Sequence, residues 1–357
     1  MFFEEEVIAE KIRTACRERL EELYGAGVPD EIRDRVEWEY EAMRRTGSTE
    51  TVYLHLVLAA EAGRLGEPLR IRGTAADSIL LWLLGKSGTD PNEAYYYCEG
   101  CGHYRRIPDP AYGSEAPEAA CPVCGKRMRG RGFSLDERFV WHVHGDKALY
   151  TEYAVSSAFF EAAFRLIREL LPEVPVMPGV QEGQVSENGT ELLRTGLLLF
   201  PEGKNPEDYP EHLVTLKDGQ RGFYADYEAV EKLGLLRIPL LCMDAMRQEQ
   251  NPERAELSRV VRDACRRLSN MDPAFLEYPF YSREELFRRL VKAGNDRDTA
   301  FEIADFVRKG RAFAGGGTWQ EKWQEYVKKA KMDEETADAC IHARYLWTEG
   351  SVLEGLL

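Results

Sequence analysis

The chain has 357 residues, 31% of them charged and 44% hydrophobic, with a formal net charge of −15. That length can bury one large core or two to three smaller ones. The longest apolar runs, residues 52–60 and 79–84, fall far short of the ~20 residues a membrane-spanning helix needs. The start Met1-Phe2-Phe3-Glu4-Glu5-Glu6 lacks the basic region of a secretory signal, so a cytoplasmic protein with no membrane partner is expected. The acidity also weighs against a chain whose main task is holding DNA, because such proteins draw much of their affinity from a basic field.

In chain order, residues 4–24 place Val7, Ile8, Ile12, Ala15, Cys16, Leu20 and Leu23 on one helical face that ends at Gly25. A second helix starts near Pro29 and Asp30, runs toward Arg45 and buries Ile32, Val36, Tyr40 and Met43. Ser48 or Thr49 caps a third over 50–63. The extended piece Leu69-Arg70-Ile71 leads through Arg72-Gly73-Thr74 into a buried helix ending at Gly85. Residues 139–144 alternate like a strand, with His142 and His144 on one face but no third metal ligand nearby. A helix covers 157–171, and the segment 171–188, rich in Pro and Gly, reads as a linker or an excision point. Residues 197–200 and 233–241 read as core strands. From Glu253 onward the pattern is helical, and Trp319, Trp323, Tyr326 and Val327 recur there as a packing face.

Two matched pairs, Cys98-Glu99-Gly100-Cys101 and Cys121-Pro122-Val123-Cys124, occupy the segment 95–132. Each C-x-x-C can fold over one side of a metal, and together they make a closed four-thiolate site with no position left for water, which is the pattern of a structural zinc ribbon. Gly102 and Gly125 follow the pairs where the backbone must turn tightly. A thioredoxin-like redox pair or disulfides are the alternatives, and the regular pairing favours zinc over both. The other cysteines, Cys16, Cys242, Cys265 and Cys340, lie mostly in helical patterns and read as buried thiols.

The order of motifs around these cysteines resembles the PolC type of bacterial DNA polymerase III alpha subunit, a C-family DNA polymerase. The similar stretches are Glu18-Arg19-Leu20-Glu21-Glu22-Leu23-Tyr24-Gly25, Arg72-Gly73-Thr74-Ala75-Ala76-Asp77-Ser78, Leu84-Gly85, Thr89-Asp90-Pro91 and, after the cysteines, Gly145-Asp146-Lys147. They continue with Gly196-Leu197-Leu198-Leu199-Phe200-Pro201, Gly234-Leu235-Leu236-Arg237-Ile238-Pro239-Leu240-Leu241, Ala300-Phe301-Glu302-Ile303-Ala304 and Val307-Arg308-Lys309-Gly310-Arg311. The resemblance implies an α+β fold: a nucleotidyltransferase-like C-family polymerase palm, an inserted zinc ribbon and a C-terminal helical fingers remnant. The implied boundaries are 1–94 for the N-terminal helical part of the palm and 95–132 for the ribbon. The rest of the palm takes 133–250 with the thumb largely absent, and partial fingers take 251–357.

Two-metal polymerase chemistry needs three carboxylates. The family's positions fall on Tyr150, Glu152 and Pro239, of which only Glu152 is an acid, so neither catalysis nor bound magnesium is expected. Asp146 and Asp244 do not substitute, because an offset of four or five residues along a strand moves a side chain two pleats away or onto the other face. The nucleotide-binding positions Arg72, Gly73, Thr74 and Ser78 stand in a degenerate turn, where Arg70 and Ala76 replace glycines and Asp77 reads as a first-turn helix acid. Possible DNA contacts are Lys126, Arg127, Arg129 and Arg131 beside the ribbon and Arg308, Lys309 and Arg311 in the fingers-like part.

The expectation is therefore a catalytically inactive PolC-like protein with one structural zinc and weak DNA binding. It would bind or scaffold a protein partner, a polymerase or another replication or repair factor. Two other classes stay open: an active DNA polymerase, alone or as half of a split enzyme, and a zinc-ribbon nucleic-acid-binding protein that uses the palm as a platform.

Overall fold

The computed structural model describes residues 2–25, 27–85, 87–186, 189–201, 203–243, 256–272 and 277–356. The structure mixes helices with small sheets, and the chain divides into two compact units, each assembled from three separate stretches. One comprises Met1–Ile12, Thr49–Arg72 and Tyr150–Glu249; the other comprises Arg13–Ser48, Gly73–Leu149 and Gln250–Leu357.

The first unit holds two sheets. In the smaller, strand Glu152–Val155 lies between Leu69–Arg72, antiparallel to it, and Leu240–Cys242, parallel to it. The larger runs Leu213–Thr215, Arg221–Tyr224, Val176–Ser186, Gly189–Leu199 and Leu236–Ile238 in spatial order. Its core is Leu198, Phe200, Phe223, Ala225, Val230 and Leu235. Helix Ser157–Leu170 begins at the N-cap Ser156, whose Oγ accepts the Phe159 N–H at 3.0 Å, and buries Phe159, Phe160, Ala162, Ala163 and Ile167.

Two readings from the sequence are corrected here. Most of the expected linker 171–188 is strand Val176–Ser186, paired with Gly189–Leu199; Asn188 lies outside the described residues. The register shifts between Gly179 and Val180, so the glycine and the neighbouring Pro178 mark an irregularity within a strand rather than a break between domains. The expected strand 233–241 is also divided. Leu233 closes helix Tyr227–Lys232, Gly234 turns at φ +60°, and Pro239 separates Leu236–Ile238 in the larger sheet from Leu240–Cys242 in the smaller. A proline has no N–H to give a ladder, which makes residue 239 a natural point for the chain to change sheets.

In the second unit, helix Asp30–Arg45 buries Ile32, Val36, Tyr40 and Met43, as its periodicity predicts. It also buries Glu39, whose carboxylate accepts from Ser78 Oγ at 2.6 Å and from the Ile79 N–H at 3.1 Å. That contact supplies a partner at the N-terminus of the buried helix Ile79–Gly85. An apolar cluster of this unit includes Phe139, Leu286, Phe287, Phe301, Phe306, Trp323 and Tyr326. Trp323 and Tyr326 pack on Phe306, whereas Trp319 meets it from an exposed position and Val327 is exposed.

Residues 139–144 are not a strand. Arg138–Trp141 is one helical turn, Asp136 Oδ1 accepts the Arg138 N–H at 3.0 Å, and His142 ends the turn at φ +63°. Phe139, Val140 and Trp141 are all buried, so the apparent alternation has no solvent face to match, and His142 and His144 share no strand face.

Candidate functional site

The cysteine segment is built from short hairpins. Strands Tyr95–Tyr97, Tyr104–Arg106 and Gly130–Arg131 form one small sheet, and Ala119–Ala120 with Arg127–Met128 form another. In the first knuckle the Gly102 N–H reaches Cys98 O at 2.8 Å and the Cys98 N–H reaches His103 O at 2.9 Å; in the second, Gly125 and Cys121 repeat the pattern at 2.9 and 2.7 Å. Both glycines stand at φ +72°, where a Cβ would strain the turn. The four Sγ atoms of Cys98, Cys101, Cys121 and Cys124 all lie within 4.8 Å of one another, with Cys98 to Cys124 at 3.4 Å and Cys101 to Cys121 at 3.6 Å. A disulfide requires about 2.05 Å, whereas a tetrahedral site with metal–sulfur bonds of about 2.3 Å has edges of about 3.8 Å. The cluster therefore fits a single metal ion. Burial opposes ionisation of Cys121, but backbone N–H donors from Cys124 and Val123 outweigh it and lower that thiol, while the neighbouring Cys101 is pushed up.

The ribbon is tied to its own unit by tyrosines. Tyr95 donates to Asp90 Oδ2 at 2.8 Å and accepts from Tyr24 Oη at 2.6 Å, and Tyr97 donates to Tyr24 O at 2.6 Å. Burial and the adjacent Asp90 carboxylate push the Tyr95 phenol well above its ordinary value, which keeps this chain of donors neutral.

The small sheet of the first unit brings the three family positions to one end. Arg72 stands opposite Glu152, the Tyr153 N–H bonds to Pro239 O at 3.1 Å, and Tyr150 lies two residues before Glu152 with 53% of its surface exposed. Glu152 is the one carboxylate of the three, and its Oε1 accepts from Arg72 Nε at 2.6 Å. Arg72 also points Nη1 at Met243 Sδ, 3.7 Å away. Among the described residues, the four cysteines are the only group of three or more His, Cys, Asp or Glu side chains close enough to hold a metal. Asp146 is an exposed residue 3.9 Å from His142, and Asp244 lies outside the described residues.

The remaining nucleotide-turn residues belong to the second unit. Gly73 keeps φ +69° and Thr74 is half-buried, while the fully buried Ser78 gives its hydroxyl to Glu39. Asp77, expected as a first-turn helix acid, instead ends the short 3₁₀ helix Gly73–Asp77, ahead of the helix that begins at Ile79. The residue is fully buried and its Oδ2 accepts from Arg283 Nη2 at 2.6 Å. Arg283 is shared with the buried Glu284 and lies 3.7 Å from the centre of the Phe139 ring. Gly350 sits against this site so closely that a Cβ there would meet Asp77 Oδ1 at 2.2 Å.

Most of the candidate DNA-contacting residues have partners of their own. Arg127 and Arg129 both pair with Glu118, at 3.0 and 2.9 Å, and Arg131 pairs with Glu99. Lys126 lies along Gly100. Lys309 pairs with Asp305, while Arg308 and Arg311 stack on Tyr345 and Trp319. The sequence reading missed the buried charges Glu39, Arg283, Glu284 and Glu349. Only the capping pattern at Ser282 and Glu285, which announces the helix Arg283–Lys292, hinted that this segment was ordered.

Fold and site together define a mixed α/β protein carrying a four-cysteine, metal-competent module. No protein-family model matches the chain. Over 163 residues, 45% of the chain, it is 28% identical to the PolC-type DNA polymerase III of Thermotoga petrophila and, over the same length, 27% identical to that of Thermotoga maritima. Over 181 residues, 50% of the chain, it is 23% identical to the corresponding protein of Latilactobacillus sakei. The chain is thus a PolC-like relative over part of its length, and it spans 12% of each of these three proteins.

Proposed function

We propose that the chain is a catalytically inactive, PolC-like protein that binds or scaffolds a partner protein in DNA replication or repair. In this reading the small sheet is a degenerate nucleotidyltransferase-type palm, the four cysteines hold a structural zinc, and the C-terminal helices are a fingers remnant. The observation that carries it is the pairing of Glu152 with Arg72 beside Tyr150 and Pro239. An arginine that occupies the one acid leaves no carboxylate pair to hold two magnesium ions, and two-metal phosphoryl transfer depends on such a pair. Primer extension with all four deoxynucleotides, in magnesium and then in manganese, is expected to give no product above a Glu152→Ala control. Template-dependent extension that disappears in the control would overturn the proposal.

DNA binding is expected to be weak, because Glu118 and Glu99 offset part of the ribbon's basic charge and the chain as a whole is acidic. Changing Lys126, Arg127 and Arg129 together to Gln is expected to lower the slope of log K against log salt by about 2–3. Tight binding to primed duplex at physiological salt that survives this change would favour the nucleic-acid-binding reading instead. Among the described residues, no helix is long and apolar enough to cross a membrane.

A further inference from the structure

The two knuckles of the cysteine centre present their sulfurs unequally. Cys98 and Cys121 are buried, while Cys101 and Cys124 are exposed. Each exposed sulfur also has a near neighbour in the opposite knuckle: Cys124 lies 3.4 Å from Cys98, and Cys101 lies 3.6 Å from Cys121. Accessibility to an oxidant and proximity to a second thiol therefore fall on the same two residues. Those are the two properties that make a thiol oxidisable and the product resolvable as a disulfide.

We infer that the ribbon is a peroxide-sensitive element, converted by hydrogen peroxide, with release of its metal, into nested disulfides joining Cys98 to Cys124 and Cys101 to Cys121. The inference rests on the zinc reading above. At each pair the exposed thiolate attacks one oxygen of hydrogen peroxide, the O–O bond breaks, and hydroxide leaves as a sulfenic acid forms on Cys124 or Cys101. The buried partner thiolate, Cys98 or Cys121, then attacks that sulfur and expels the second hydroxide. Each disulfide thus consumes one peroxide and two protons and yields two waters; two peroxides convert all four thiolates and leave the divalent metal without ligands. Four cysteines allow three connectivities, and the close approaches of Cys124 to Cys98 and of Cys101 to Cys121 point to the nested one. The other described cysteines do not compete, since Cys16, Cys265 and Cys340 are buried and Cys242 is on a separate strand.

The test uses the full chain as purified without chelators. Metal content is measured first, then hydrogen peroxide is added and released zinc is followed with a colorimetric chelator. The disulfides are mapped by mass spectrometry of unreduced peptides, with fragmentation that opens S–S bonds. The expected result is one zinc released per chain together with the nested pairs, both reversed by dithiothreitol and added zinc. A protein that contains no zinc at the start overturns the metal reading, whereas a zinc-loaded protein that forms either of the other two connectivities overturns this inference. Retention of zinc while Cys16, Cys242, Cys265 or Cys340 oxidises first overturns it equally.

Discussion

Stripping the metal from the cysteine centre, or replacing any one of Cys98, Cys101, Cys121 and Cys124 with serine, is expected to unfold the ribbon over residues 95–132. The reason is the size of what is left. Its buried apolar cluster consists of Ala94, Tyr96, Cys98, Ile107, Cys121 and Met128, and two of those six belong to the cysteine centre. A core that small does not offset the conformational entropy of the hairpins around it, whereas a structural zinc contributes on the order of 10 kcal/mol. Hydrogen exchange is the measurement. Protection at the amides of Cys98, Gly102, Cys121 and Gly125, which close the knuckles, should be lost when a chelator is added. The helix Ile79–Gly85, buried elsewhere in the same unit, should keep its protection. Unchanged exchange in the knuckles after the metal has been removed would mean that the tyrosine anchors alone hold the ribbon.

The cysteine centre was legible before any coordinates because its chemistry is written in local spacing: two C-x-x-C pairs, each followed by a glycine that supplies a positive φ. The long helices were legible for a similar reason. Ile32, Val36, Tyr40 and Met43 recur at helical spacing, and a buried stripe is their simplest consequence. Residues 139–144 failed because one helical turn with three consecutive buried residues, Phe139, Val140 and Trp141, is too short to show a period. The segment 171–188 failed because Pro178 and Gly179 punctuate like a linker, yet an antiparallel partner strand absorbs them in a shifted register. The buried charges were the least legible. Asp77 and Arg283 are 206 positions apart, and neither residue signals on its own that the other will neutralise it. Placing Tyr150, Glu152 and Pro239 at one sheet end needed the family resemblance, since no local pattern links residues 150–152 to residue 239.

Replacing Arg283 with methionine is expected to cost about 3–5 kcal/mol of stability, because it leaves buried carboxylates without their counter-charge. Asp77, Arg283 and Glu284 are each no more than 1% exposed, so water cannot take over the role of the guanidinium. Methionine retains much of the volume over the Phe139 ring, which makes the missing charge the main change rather than a cavity. The pH dependence of the loss identifies its cause. Burial raises the Asp77 carboxyl well above its ordinary range, and Arg283 pulls it back; Glu284 and Glu349 add to the rise, and Arg35 opposes it. A carboxyl whose folded-state pKa lies above its unfolded value contributes its full stability only below the unfolded pKa, about 4, and loses it as pH rises through the folded one. Deleting Arg283 removes the main opposing charge and widens that window. The gap between variant and parent should therefore be small near pH 4 and grow toward neutrality. Glu349, held below its ordinary range chiefly because Arg288 outweighs its burial, loses its contribution on acidification in both proteins, so it drops out of the difference. Denaturant unfolding of the parent, Arg283→Met and Arg283→Met with Asp77→Asn, across that pH range, decides the matter. The double variant should be more stable than Arg283→Met at pH 7, since Asp77→Asn removes a carboxyl that must take up a proton on folding. A loss that is independent of pH and unrelieved by Asp77→Asn would assign the role of Arg283 to packing instead.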